Sequence, residues 1–421
     1  MEIMAEYGPI LLALGVIFSL YMTWGIGAND VANAMGTSVG SGAITVRQAI
    51  IIAALFEFMG AVLAGNSVTD TIHRELVDPM VFTFHPEILA YGMLASLLAS
   101  ALWLMIATAR GWPVSTTHSI VGAIVGFTIA GVGANAVHWS KIGEIVTSWL
   151  ISPLLAGSIA FVLMLSIRHL VLNTDAPFQR AKIWGPAYAF LVGFVLSLIT
   201  IYGGLSHIEL TLSSIESFVA SLAFGLLAAI FGKMMIDKIE MDREADQAFY
   251  YASVEKVFTP LMIFTACAMA FAHGSNDVAN GVGPLAAIVS VVNSTDLTLF
   301  AHRPQFAVLL LGGVGIVMGI ATMGYKVMQT MGTKITELTP TRGYCATMAA
   351  ATTVAFASKA GLPVSTTHVA VGAVMGVGLA RGIGAIDLRV VGGIIISWMV
   401  TLPAGAILSA LLFFALKNIF S

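Results

Sequence analysis

The sequence predicts an all-α polytopic membrane protein, on three observations. Of its 421 residues, 58% are apolar and only 10% are charged, whereas roughly a quarter of the residues in soluble domains are charged. Apolar runs of about 20 residues, the length that crosses a bilayer, recur along the chain. Polar motifs occur twice within this apolar background, in the same order. Lipid is therefore the expected solvent for most of the chain.

The apolar runs predict about ten to twelve membrane crossings. We expect all of them to be helical, because a helix satisfies its own backbone groups in lipid. Charge-free runs occur at residues 7–29, 88–109, 145–167, 183–207, 217–232, 304–325, 343–358 and 390–416. Residues 48–69 also qualify apart from one carboxylate, Glu57. The net charge of −3, with no basic or acidic tail, gives no indication of nucleic acid as a partner.

Three motifs recur along the chain in the same order and at nearly constant spacing. Gly27–Asn33 recurs as Gly274–Asn280, Pro113–His118 as Pro363–His368, and Ser148–Trp149 as Ser397–Trp398. The pattern predicts a duplication, with a first transmembrane repeat over residues 1–170 and a second over residues 257–421. Residues 171–256 are predicted to form connecting helices and a polar surface link, in which residues 233–256 have the period of an amphipathic helix. Duplicated membrane halves with polar motifs are typical of secondary transporters.

The first motif indicates a cation site. Its two asparagines are four residues apart and share one face of a helix, and the aspartate lies about 100° round from the first. A carboxylate at membrane depth is costly unless it meets a cation or faces a polar cavity. Ligation by oxygen alone suits a hard cation such as sodium. The candidate ligands are Asn29, Asp30 and Asn33 in the first copy and Asn276, Asp277 and Asn280 in the second.

Other features near this motif bear on the same site. The flanking glycines would let the backbone unwind and offer carbonyl oxygens as further ligands. The alternative interpretation is that the Asn-Asp pair caps a helix or joins two helices, and the duplication favours the site. Glu57 lies mid-span, so it either contributes to a cation site or is protonated and packed.

The second motif indicates an anion site. A proline followed by hydroxyl residues and an apolar stretch is typical of a helix start, with a hydroxyl cap and free N–H groups. Helix N-termini bind anions through those N–H groups. The apolar stretches at residues 120–130 and 369–380 have the length of re-entrant hairpins. Plain N-capping is the alternative interpretation. The candidate ligands are Ser115, Thr116, Thr117, Ser365, Thr366 and Thr367.

Charge balance links the two sites. No lysine or arginine falls inside any copy of the two motifs, so a bound anion needs co-bound cations to offset its charge. Sodium held by Asp30 and Asp277 would supply them. His118 and His368 follow the hydroxyl residues and either carry protons or donate to the anion, or are neutral histidines bonded near the helix start. His273 stands where the first copy has Ile26, which excludes a symmetric role for it.

These motifs resemble those of the PiT family of inorganic phosphate transporters. The resemblance rests on residues 27–43, G-A-N-D-V-A-N-A-M-G-T-S-V-G-S-G-A, and on P-V-S-T-T-H in both halves, and it covers all but the polar link. It implies two inverted repeats with paired re-entrant hairpins, phosphate bound between the hairpin tips, cations near the Asn-Asp motifs, and a possible homodimer. The sequence differs from many members at Thr347, where they carry glutamate.

The function that the resemblance implies is sodium-coupled symport of inorganic phosphate. The protein would be a multi-pass protein of the plasma (inner) membrane that uses sodium ions as co-substrate and needs no organic cofactor. The segment after the first motif, G-T-S-V-G-S-G-A-I-T, is similar to the same segment of sodium-driven members.

Proton-coupled phosphate symport and sulfate symport, both on the same fold, are the nearest alternatives. An intramembrane hydrolase using Ser115, His118 and Asp30 would not need two copies of each part. An ion channel would not need paired anion caps. We therefore expect a transporter and not an enzyme.

Overall fold

The computed structural model describes residues 2–83, 85–110, 112, 114–204, 212–242, 244, 246, 251–292, 304–331, 338–382 and 388–420. Fourteen α-helices lie in this part of the chain. They are α1 (Glu2–Asn29), α2 (Val31–Gly40), α3 (Val46–Ala64), α4 (Asn66–Asp70), α5 (Pro86–Ala109), α6 (Thr116–Gly131), α7 (Trp139–Ile167), α8 (Pro177–Gly204), α9 (Ser214–Asp237), α10 (Ala252–Val292), α11 (Pro304–Met331), α12 (Pro340–Lys359), α13 (Thr366–Arg381) and α14 (Leu388–Phe420). An isolated β-bridge joins Val77 and Val137.

The helices follow the apolar runs of the sequence. The described residues of each predicted charge-free run all lie within a single helix. Nine helical segments of the described chain are long and apolar enough to cross a membrane. α6 and α13 have 16 residues each, or about 24 Å, which is less than the ~30 Å of the hydrocarbon layer. The predicted all-α polytopic fold is confirmed.

Large apolar side chains lie on the outer surface and the acidic side chains of the first motif lie inside the bundle, the reverse of a water-soluble protein. On α9, Phe224, Leu227 and Ile230 are each more than half exposed. Asp30 and Asp277 are buried inside the bundle. Lipid covers an apolar outer surface of this kind without penalty, so the polar chemistry of the chain lies in its interior.

Each repeat packs its motif helices against the other repeat. α6 packs on α14 and α13 on α7, while α1 packs on α11 and α10 on α3. Glycines bring the backbones together at these crossings, since Gly122 faces the backbone of Leu402 and Gly372 faces that of Pro153. A Cβ at either glycine would collide with the opposite carbonyl oxygen, as is typical of small-residue packing in membranes. Because each repeat packs on the other, both copies of both motifs lie close together.

Two local predictions differ from the structure. Residues 48–69 do not form one helix, because α3 ends at Ala64 and α4 starts after Gly65. The helix predicted over residues 233–256 is not continuous: 233–237 belong to α9, 239–242 are not helical and 252–256 belong to α10.

Local side-chain bonds explain the second difference. Ser253 Oγ accepts from the N–H of Asp242 at 2.9 Å and donates to Asp246 at 2.8 Å. One continuous helix would hold Asp242 and Ser253 about 16 Å apart, at a rise of ~1.5 Å per residue, so their bond requires the backbone to turn. The boundary predicted at residue 257 lies inside α10, shortly after its start.

Some predictions lie outside the described residues. These are residues 243, 245 and 247–250 of the link, Pro113, and the side chains of Ser397 and Trp398.

Candidate functional site

The first Asn-Asp motif lies where two helices meet. Asp30 is the single residue between α1 and α2, and its dihedral angles stay helical, with φ −86° and ψ −11°. Its N–H still donates to the carbonyl of Ile26 at 2.8 Å. The second copy lies within α10, which is continuous from Ala252 to Val292. The expected unwinding is therefore not found in either copy, and the ligand oxygens they offer come from side chains.

The first asparagine of each motif is oriented by its amide nitrogen. Asn29 Nδ2 donates to Thr108 Oγ1 at 2.6 Å. Asn276 Nδ2 donates to Ser358 Oγ and to the carbonyl of Leu362, both at 3.1 Å. Because the nitrogen is used as donor, the amide oxygen remains available, and Asn276 Oδ1 has no hydrogen-bond partner among the described residues. Sequence reasoning missed Thr108 and Ser358, which lie outside both motifs.

The second asparagine of each motif contacts the hydroxyl residues of the opposite repeat. Asn33 Nδ2 donates to Thr367 Oγ1 at 2.9 Å. Asn280 Nδ2 donates to Thr116 Oγ1 at 3.2 Å and to Thr117 Oγ1 at 3.1 Å. Within the described residues, Asn280 Oδ1 accepts no hydrogen bond. The candidate cation and anion ligands of opposite repeats are thus in direct contact.

The hydroxyl motifs begin the two short helices. Ser115 and Ser365 are the N-caps of α6 and α13, and their Oγ atoms accept from the N–H of His118 at 3.2 Å and of His368 at 3.3 Å. The N–H groups of a helix's first turn have no partner within the helix. Thr117 Oγ1 donates to the carbonyl of Val364 at 3.0 Å. The two helix starts therefore meet, with N–H groups and hydroxyls from both.

The aspartates of both motifs belong to one buried cluster. Ligand atoms of Asp30, Asp277 and His273 all lie within 4.8 Å of one another. Thr366 Oγ1 donates to Asp277 Oδ2 at 2.9 Å. Both carboxylate oxygens of Asp30 lack a hydrogen bond of normal geometry from the described residues, although Thr116 lies beside them. The cluster has the oxygen donors and the negative charge that a small cation requires.

His273 and Glu57 complete this cluster. His273 Nδ1 lies 3.1 Å from Glu57 Oε2, and His273 Nε2 lies 3.0 Å from Asp277 Oδ2. The side chains of Glu57, His273 and Asp277 are all fully buried. Glu57 is therefore packed against the cation cluster. His273 has no histidine counterpart in the first copy of the motif, so the repeat did not identify it. Its position four residues before Asp277, on the same helix face, nevertheless predicts a contact between the two side chains.

The histidines of the hydroxyl motifs meet each other. The rings of His118 and His368 lie 4.5 Å apart between centroids, edge to face, and His118 also packs on Trp149 at 3.9 Å. Trp149 Nε1 donates to the carbonyl of Pro363 at 2.9 Å. These contacts hold the starts of α6 and α13 together.

Thr347 is the position where the sequence differs from many family members. Its hydroxyl shares a hydrogen bond with that of Thr37 at 2.8 Å. Thr37 belongs to α2 and Thr347 to α12, so the bond joins these two helices.

Comparison with known proteins agrees with this architecture. The phosphate transporter family matches residues 26–409. A Haemophilus influenzae protein named "Putative phosphate permease" is 49% identical, with all of both chains covered. A Pyrococcus furiosus protein, also named a putative phosphate permease, is 43% identical, and the match covers 97% of this chain and 96% of that protein.

A solved structure named "The sodium-dependent phosphate transporter" superposes with a TM-score of 0.88. It is 41% identical and covers 97% of this chain and 100% of its own. Family, relatives and fold agree, and the chain belongs to the phosphate transporter family.

Proposed function

We propose that this protein couples the movement of inorganic phosphate to that of sodium ions. One observation carries the proposal: a buried cluster of carboxylates and amides directly contacts the starts of two helices that offer N–H and hydroxyl donors. Neither motif contains a lysine or arginine in either copy. The solved relative is named as a sodium-dependent transporter, which supports the choice of cation.

The cation ligands are side-chain oxygens. Asp30 and Asp277 supply negative charge, and the amide oxygens of Asn29, Asn276 and Asn280 add neutral donors. Asn33 and Glu57 border the same cluster. A set of oxygen donors without sulfur suits a hard cation.

Phosphate is held between the starts of α6 and α13. The hydroxyls of Thr116, Thr117, Thr366 and Thr367 surround this place, and Ser115 and Ser365 cap the helices that point into it. Each serine Oγ accepts a backbone N–H as a cap, so its own proton stays free to donate to phosphate. Helix N-termini favour anions by their dipole as well as by their N–H groups.

Coupling follows from the charges. Phosphate brings negative charge next to buried carboxylates, which is unfavourable unless cations are present. Thr366 donates to Asp277, so the two sites share a side chain. Sodium binding therefore strengthens phosphate binding, and phosphate strengthens sodium binding by the same factor.

Equilibrium binding tests this function against its alternatives. Labelled phosphate is titrated onto the purified protein in sodium chloride or choline chloride, with arsenate or sulfate as competitor. We expect sodium to tighten phosphate binding, arsenate to compete well and sulfate poorly. Binding that responds to pH but not to sodium would support proton coupling. Strong competition by sulfate would support a sulfate carrier.

The plasma (inner) membrane location and the homodimer remain proposals drawn from the family resemblance. Membrane fractionation tests the first, and the mass of the detergent-solubilised protein tests the second.

A further inference from the structure

His273 and Glu57 form a contact that joins α10 to α3. His273 Nδ1 lies 3.1 Å from Glu57 Oε2, with both side chains fully buried. The close approach depends on Gly274, which faces the backbone of Glu57 and where a Cβ would collide with the Glu57 carbonyl oxygen. The two residues therefore meet at the point where the two backbones are closest.

The symmetry-equivalent crossing, between α1 and α11, identifies their counterparts. Gly27, the counterpart of Gly274, faces the backbone of Ile316 on α11 in the same manner. Ile316 thus corresponds to Glu57, and Ile26 corresponds to His273. Both isoleucines are fully buried. The polar pair of one crossing is replaced as a pair by two apolar residues at the other.

Paired replacement has a simple energetic basis. A buried carboxylate or imidazole without a partner costs considerable free energy, whereas two apolar side chains pack without such a cost. Each crossing therefore holds either a matched polar pair or a matched apolar pair. The polar pair is a unit within the fold.

This unit continues to the anion site. His273 Nε2 lies 3.0 Å from Asp277 Oδ2, and the same Oδ2 accepts from Thr366 Oγ1 at 2.9 Å. Glu57, His273, Asp277 and Thr366 thus form a continuous series from α3 to the start of α13. Within the described residues, Asp277 Oδ1 accepts no hydrogen bond.

The crossing of Gly27 with Ile316 has no such series. Ile26 and Ile316, both buried, stand in place of His273 and Glu57, while Thr116 lies beside Asp30 as Thr366 lies beside Asp277. Ile26, four residues before Asp30, cannot contact that carboxylate with a polar atom, whereas His273, four residues before Asp277, does.

We propose that His273 is a positioning residue: anchored by Glu57, it holds Asp277 Oδ2 against Thr366, at the start of α13. The inference rests on the proposed function. It makes the two Asn-Asp motifs unequal in spite of their similar sequences, and it gives Glu57 a role through His273.

A double-mutant cycle tests whether His273 and Glu57 act as a unit. Phosphate affinity at saturating sodium is measured for His273→Ile, Glu57→Ile and the double variant, which reproduces the apolar pair of the other crossing. We expect about ten- to hundredfold weaker binding in His273→Ile, the range for losing a close polar contact to a charged group. The double variant should bind phosphate no more weakly than the worse single variant.

Losses that multiply in the double variant would show two independent residues and overturn the proposal. Wild-type affinity in the folded single variants, with only a lower melting temperature, would show a merely structural role and overturn it too. His273→Gln keeps one donor within reach of Asp277, so its phosphate affinity should lie closer to wild type than that of His273→Ile. Should His273→Ile fail to fold, His273→Gln and the double variant decide the question.

Matched controls lie at the other crossing. Ile26→Val and Ile316→Val remove one methylene each and should leave phosphate affinity unchanged. If the phosphate affinity of the wild-type protein did not change with sodium concentration, the proposed sodium coupling would be refuted. The cycle in phosphate affinity would then still decide the role of His273, because Thr366 links Asp277 to the anion site.

Discussion

Replacing Asp30 with asparagine removes one full charge from the cation cluster and keeps the size of the side chain. The donor atoms of the cluster all lie within 4.8 Å of one another, so a cation among them is within about 4 Å of the Asp30 carboxylate. Two unit charges at that distance interact by about 4 kcal/mol at the effective dielectric constant of 20 that suits protein sites. Sodium affinity should therefore fall by about two to three orders of magnitude.

Phosphate binding reports this loss. In Asp30→Asn, sodium should no longer tighten phosphate binding, and phosphate should no longer tighten sodium binding. Both are measured by titration of the purified variant with labelled phosphate and labelled sodium. Asp237→Asn, which removes a half-exposed charge paired with Lys233, is the control and should behave as wild type. Intact sodium enhancement in Asp30→Asn would show that the Asp30 charge does not bind the cation and would leave the residue a packing role, which asparagine of the same size also fills.

Two further predictions concern the helix start and the helix crossing. Ser115→Ala removes the acceptor of the His118 N–H, so the unfolding free energy should fall by about 1 kcal/mol and phosphate binding should weaken; lower stability with unchanged affinity would mean that Ser115 is a cap alone. Gly274→Ala places a Cβ against the Glu57 carbonyl and should lower stability by about 1–3 kcal/mol in denaturant titrations, whereas Gly143→Ala, with no atom in the way, should raise it by up to about 1 kcal/mol. Equal effects at the two glycines would contradict the close crossing.

The helices were predictable because membrane burial leaves a strong local signal. An apolar run of about 20 residues predicts a helix whatever its neighbours are. The link over residues 233–256 was mispredicted for the opposite reason. Its charged pattern has a helical period, but the N–H of Asp242 donates to Ser253, a bond that one continuous helix through both residues would not allow.

The candidate site was predictable in its residue types and not in its contacts. Duplicated Asn-Asp and hydroxyl motifs indicated polar sites, but the contact of Asn33 with Thr367 joins residues 334 apart in the chain. Spacing within a motif carries no information on such a pair. His273 was missed because a repeat draws attention to what the two halves share, and this residue is where they differ.

Uptake of phosphate by the reconstituted protein decides whether transport is coupled to sodium. Proteoliposomes are given labelled phosphate with an inward sodium gradient, an inward proton gradient without sodium, or neither. We expect accumulation of phosphate with the sodium gradient, at neutral and at alkaline pH, and none with the proton gradient alone. Accumulation driven by the proton gradient in the absence of sodium would contradict sodium coupling.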